Sequence, residues 1–211
     1  VSKQSNLTSE LDGEIDSRQL REGFNNTLTL SFSDDRTRDP KQNFRYSLSA
    51  LGGSGLWGSE YDFLAGTGEW RHYIPTWGKQ QIAYMLAATV MAGETRPALL
   101  GGPPLSNLLI LNFQNIMPLR GFNIAQLQGP MMLASNIEYR FPILDPIIFT
   151  LGNHYLKDLE GAFFVDMGDA WYPDQRTAFP HIGTGFELRS NVILNRRNAF
   201  KLYLGAGKAL L

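Results

Sequence analysis

Cysteine is absent from the 211 residues. That excludes disulfide frameworks and thiolate chemistry, and it suits a protein of the cell envelope without deciding the compartment. Long apolar runs are missing too: none approaches the roughly 18 to 20 residues that a membrane-spanning helix needs. Charge of either sign is not in excess. A formal net charge of -1 gives nucleic acid or an anionic membrane surface nothing to be drawn to. The opening stretch, Val1 to Asp12, is polar and does not read as a signal peptide. Either a signal has been removed or the chain belongs to a longer one.

Catalytic motifs are equally scarce. There is no serine nucleophile elbow, no phosphate loop and no histidine–glutamate zinc motif. His72, His154 and His181 are scattered without metal-ligand spacing and read as surface or interface residues. Gly52-Gly53-Ser54-Gly55 has no helix pattern after it and reads as a loop. No catalytic residue, cofactor or metal is expected, and the chain does not read as an enzyme.

What the sequence does have is alternation. Residues 1–24 are polar, without a period, and are expected to be an irregular segment. From residue 25 to 211 apolar and polar residues alternate in runs separated by turn residues, the period of a strand with two unlike faces. The first four runs are Thr27 to Ser33, Phe44 to Ala50, Tyr61 to Ile74 and Ile82 to Val90. Gly66 and Gly68 suggest a bulge in the third. Met131 to Ile143, Gly161 to Trp171, His181 to Arg189 and Phe200 to Ala206 complete eight strands. The connection from Gly93 to Gly129 is too long for a hairpin. Its apolar part, Leu105 to Met117, needs something to pack on: a barrel interior, or, on the other reading, a helix on a soluble core.

The faces decide between two antiparallel architectures. Met131 to Ile143 sets Leu133, Ile137, Tyr139 and Phe141 against Asn136, Glu138 and Arg140. Gly161 to Trp171 sets Phe163, Val165 and Met167 against Phe164, Asp166, Gly168 and Ala170. A soluble calyx would enclose an apolar cavity; a transmembrane barrel puts the apolar faces on lipid and the charged ones in its lumen. A dry core around Arg45, Glu138, Arg140, Asp166, Glu187, Arg189 and Lys201 would cost several kcal/mol per charge. Aromatics such as Trp57, Trp70, Tyr73, Trp77, Tyr139 and Trp171 also gather near strand ends, as interfacial girdles do. The expected fold is all-β, an antiparallel transmembrane β-barrel domain over residues 25–211.

Three segments, LRGF at 119–122, ASNIEYRFPI at 134–143 and GAFFVDMGDAW at 161–171, resemble in that order the barrel of the outer-membrane assembly and surface-antigen family. The resemblance implies that these eight strands belong to the C-terminal part of a sixteen-stranded barrel, either with one more strand to follow or with the last strand as the closing one after a deletion. It also implies that the long loop folds into the lumen. Arg120 would be the loop arginine, with Gly121 and Phe122 beside it, Asp166 its main partner and Glu138 a second, and Phe164 and Gly168 belonging to the wall motif. The glycine pair that often stands just ahead of such a motif lies well upstream here, at Gly101-Gly102.

The implied function is insertion or translocation of proteins at the bacterial outer membrane, with lipid and other envelope proteins as partners and no nucleic acid. The alternatives are a small structural or pore-forming barrel, or the membrane anchor of a patatin-like phospholipase whose catalytic domain lies outside this chain. Arg120 with Asp166 reads as a structural lock and not as a catalytic pair. Glu138 with Arg140, and Glu187 with Arg189, read as solvated or mutually neutralising lumen charges.

Overall fold

The computed structural model describes residues 2–3, 24–37, 43–95, 97–103, 116–144, 149–151, 154–156, 158–175, 180–194 and 198–210. The irregular segment expected at 1–24 and the apolar stretch from Leu105 lie largely outside them. Ser2–Lys3 pairs with Phe24–Asn25.

The fold is all-β. Eight long strands follow one another: β1 (Thr27–Asp35), β2 (Phe44–Gly53), β3 (Phe63–Pro75), β4 (Gln81–Gly93), β5 (Met131–Leu144), β6 (Leu159–Trp171), β7 (His181–Leu194) and β8 (Asn198–Ala209). Each pairs antiparallel with the next, so the sheet is a plain meander. Between β5 and β6 the chain adds a small hairpin, Phe149–Leu151 with His154–Leu156, which extends the ladder along the end of β7. Among the described residues β1 and β8 are each paired on one side only, and the sheet is open.

The expected alternation holds, and its sense is inverted relative to a soluble sheet. Leu30, Phe32, Leu48, Leu64, Val90, Leu133, Phe163 and Leu204 are exposed, Phe163 by 55% and Leu204 by 68%. The buried positions of β5 and β6 include Glu138, Asp166 and Asp169. Apolar side chains thus stand exposed on one face, and on β5 and β6 the covered positions include charged ones.

The strands are also sheared. One row of cross-strand partners runs Asp35, Arg45, Arg71, Met85, Asn136, Asp166, Gly183, Ala209. It joins the last residue of β1 to the last residue of β8. Because those strands are antiparallel, all of β1 lies on one side of the row and all of β8 on the other. The slide is roughly nine or ten residues over the sheet, which at ~3.3 Å per residue and ~4.8 Å per strand is a tilt of about 40°.

The bulge expected in β3 is absent. The ladders pass through Gly66 and Gly68 without a register shift, Ala50 facing Gly66 and Gly68 facing Ala88. A residue without a side chain need not leave the ladder when its neighbours keep their pairing. The one shift near these strands lies between Pro142 and Leu144, where proline cannot donate to the ladder.

The β4–β5 connection folds against the polar face. Ala98–Leu100 pairs in parallel with Ile116–Met117 and antiparallel with Leu127–Gly129. Ala98, Leu100 and Leu119 form an apolar cluster with Met132, Ala134 and Ala170 of the sheet, and Met91, Met117, Phe122 and Leu127 pack at its margin. At Gly129 the connection passes so close to β6 that an added Cβ would lie 2.4 Å from the Trp171 backbone.

Candidate functional site

Leu119-Arg120-Gly121-Phe122 reaches the middle of the inner face. Upstream, Gly102 and Leu119 exchange backbone hydrogen bonds, Gly102 N–H donating to the Leu119 carbonyl at 3.1 Å and Leu119 N–H to the Gly102 carbonyl at 3.0 Å. The glycine pair is therefore distant in sequence and adjacent in space, and Gly102 takes a positive φ of 82° that suits it there. Leu119 is almost wholly enclosed. With the leucine anchored, the next side chain is directed at the wall.

Arg120 is 7% exposed and meets three carboxylates. Its Nε and Nη2 donate to Asp166 Oδ2 and Oδ1 at 2.9 and 2.8 Å, a two-pronged contact. Its own backbone N–H donates to the same Oδ2 at 2.9 Å. Nη1 lies 2.8 Å from Glu138 Oε1 and 3.0 Å from Glu187 Oε2. The guanidinium stacks on Phe164, its carbon 3.7 Å from the ring centre. Asn136 completes the shell by donating to Asp166 Oδ1. Burial works against the arginine's charge, but the Asp166 hydrogen bonds and charge, with Glu138 and Glu187 behind, raise its pKa above the ordinary value.

Two more arginines balance the carboxylates. Arg140 Nη2 lies 2.6 Å from Glu138 Oε2. Arg189 Nη2 bridges Glu138 at 2.7 Å and Glu187 at 2.6 Å, with Glu160 at 3.8 Å from its Nη1. Arginines 120, 140 and 189 thus neutralise carboxylates 138, 166 and 187, a mutual arrangement that makes burial tolerable.

The backbone of the motif needs glycine on both sides. Gly121 has φ +96° and passes within 2.7 Å, measured from a built Cβ, of Lys208 in β8. A Cβ on Gly183 of β7 would fall 1.8 Å from the Arg120 carbonyl oxygen. Gly168 leaves room for Leu100, whose δ carbon lies 3.0 Å from where its Cβ would be. Phe122 meets His181 edge to face at 5.6 Å, and His181 Nδ1 lies 3.6 Å from Asp169 Oδ1.

The structure brings together every residue singled out from sequence: Arg120, Gly121, Phe122, Glu138, Phe164, Asp166 and Gly168. Of the two readings kept for Glu187 with Arg189, the mutually neutralising one holds, Arg189 Nη2 lying 2.6 Å from Glu187 Oε2. Glu187 is also 5% exposed and bonds Arg120 directly, a partner not expected from the sequence. Strand alternation placed it on the inner face, but only the β6–β7 register, Ala162 opposite Glu187, brings it to Arg120. Gly183 was missed altogether. Among the described residues no cluster of His, Cys, Asp and Glu could hold a metal ion.

The charged groups of the arrangement are engaged with one another, and Arg120 ties the loop to the wall through them. No model of a known protein family matches the chain, and no curated protein matches it.

Proposed function

We propose that this sheet is the wall of a bacterial outer-membrane β-barrel of the assembly and translocation type, its long loop locked into the lumen through Arg120. The observation that carries the reading is the pairing of an inverted sheet with a buried Arg120–Asp166–Glu138 lock, the residues that the resemblance marks. Apolar side chains facing outward and a neutral charge network facing inward suit a wall between lipid and lumen. The tilt of about 40° falls in the range of closed barrels. At that tilt the thirteen residues of β3 stand about 33 Å tall, close to the hydrocarbon thickness of ~30 Å. Trp57 and Trp77 lie just beyond its two ends and are both exposed.

Such a wall acts by holding and yielding, with no chemical step. The expected work is handling of polypeptides at the outer membrane, with lipid and other envelope proteins as partners. Depletion of the full-length protein from its cell tests this. Loss of other β-barrels or exported proteins from the outer membrane, restored by the wild-type chain and not by Arg120→Ala, is the expected result. Unchanged outer-membrane composition would overturn the translocation role.

A further inference from the structure

The described parts of the inserted loop cover one half of the inner face. Its apolar cluster rests on β5 and β6, and its motif lies against β7 and β8. The other half is built differently. Ser31, Ser49, Thr67 and Thr89 are successive cross-strand partners, a row of four hydroxyl side chains straight across β1 to β4. Thr27, Thr29, Ser33 and Ser47 share that face by strand alternation. The row is open over most of its length. Ser31 and Thr67 are exposed and Ser49 is half-buried. Thr89 is covered, two residues before Met91 meets the loop cluster.

Two residues along the strands, the hydroxyls give way to charges that are already paired. Glu69 lies 2.7 Å from Arg71 and 3.3 Å from Arg45. Ser49 and Thr67 hydrogen-bond each other. Asp35 stands across from Arg45 on β1, so two carboxylates and two arginines share this region. The open half therefore presents hydroxyl groups that both donate and accept, beside charges that sum to zero.

Resting on the barrel reading above, we propose that the inner faces of β1, β2 and β3 line a water-filled path for small uncharged hydrophilic solutes such as sugars and polyols. A polyol hydroxyl meeting these serines and threonines exchanges one hydrogen bond with water for another of similar strength, so it is neither held nor repelled. An ion gains little, because the charges nearby sum to zero within the wall. The Arg120 lock keeps the described part of the loop on β5 to β8.

The test uses the full-length protein in liposomes. A bimane probe on Leu133→Cys, quenched by brominated phospholipid, first reports whether the outer face meets lipid. Liposome swelling in isosmotic arabinose then reads the path. Swelling is expected with the wild-type chain, slowed severalfold by Thr67→Trp. In a Thr67→Cys chain, a membrane-impermeant maleimide is expected to react and to slow swelling likewise. Leu48→Cys, on the opposite face, is expected to do neither. A quenched Leu133 probe with no swelling, or with Thr67→Trp swelling at the wild-type rate, overturns the path and leaves the barrel standing. An unquenched probe overturns the barrel, and the path falls with it.

Discussion

Arg120 holds its place because three carboxylates surround it and only a planar guanidinium reaches them all. Removing it leaves Asp166, at 1% exposure, without its main cation. Arg120→Ala is expected to destabilise the fold by roughly 3 to 5 kcal/mol where the site is dry. Arg120→Lys should recover only part, since an ammonium is a point charge without the two-pronged geometry. A double-mutant cycle of Arg120→Ala with Asp166→Asn, read by thermal unfolding, is expected to show strong coupling. Additive losses would mean that the two do not act as a pair. Glu187→Gln offers a sharper check on the third contact. It should couple to both Arg120→Ala and Arg189→Ala, because its Oε2 meets both guanidiniums.

How far this site could be read in advance depends on the range over which each residue acts. Arg120, Glu138 and Asp166 were legible: a loop arginine beside glycine, and carboxylates on the polar face of alternating strands. Glu187 and Gly183 were not. Their roles depend on the β6–β7 register and on how deep the loop descends, and no local pattern encodes either.

The strands carry their own instructions. In β5 and β6 the period of two was sufficient to assign both faces, and burial follows it from Met132 to Glu138 and from Phe164 to Gly168, while Asp169, on the outer face by alternation, is nonetheless buried. Glycine was the weaker guide. In β3 it suggested a bulge that does not exist, whereas in β7 it makes space for a carbonyl oxygen from a distant loop. Gly183→Ala should therefore expel the motif with every charge of the lock intact. Overpacking of this kind costs about 1 to 3 kcal/mol. The readout is hydrogen exchange over residues 116–124, expected to rise as it does in Arg120→Ala. Unchanged protection there would mean that the loop does not rest on β7. The outer face gives a test of a different kind. Phe163 is 55% exposed, so in a water-soluble sheet Phe163→Arg would fall within about ±0.5 kcal/mol. On a lipid-facing strand near the bilayer midplane the same change costs about 2 to 4 kcal/mol. Unfolding in phospholipid vesicles is expected to give the larger value.

For the molecule as a whole, the question is how a sheared, open sheet with apolar side chains outside comes to rest. Its shear already suits closure, and its outward apolar face would be costly in water. The interior sets the scale. An eight-stranded barrel is just wide enough for its own side chains or one small ligand. This inner face carries a three-stranded sheet of its own, made by Ala98–Leu100, Ile116–Met117 and Leu127–Gly129. Joining β8 to β1 would leave no room for it. Closure is thus expected to bring in further strands along both free edges, giving a wider barrel in which the locked loop fills one side. Cysteines at Ser31 and Gly205, near the middles of the two edge strands, would check this. Direct β1–β8 pairing would let them form an intrachain disulfide rapidly under mild oxidation in the full-length protein. No such bond is expected while the Arg120 lock is intact. Its quantitative formation with the loop still protected from exchange would refute the width argument and show that eight strands can enclose the loop.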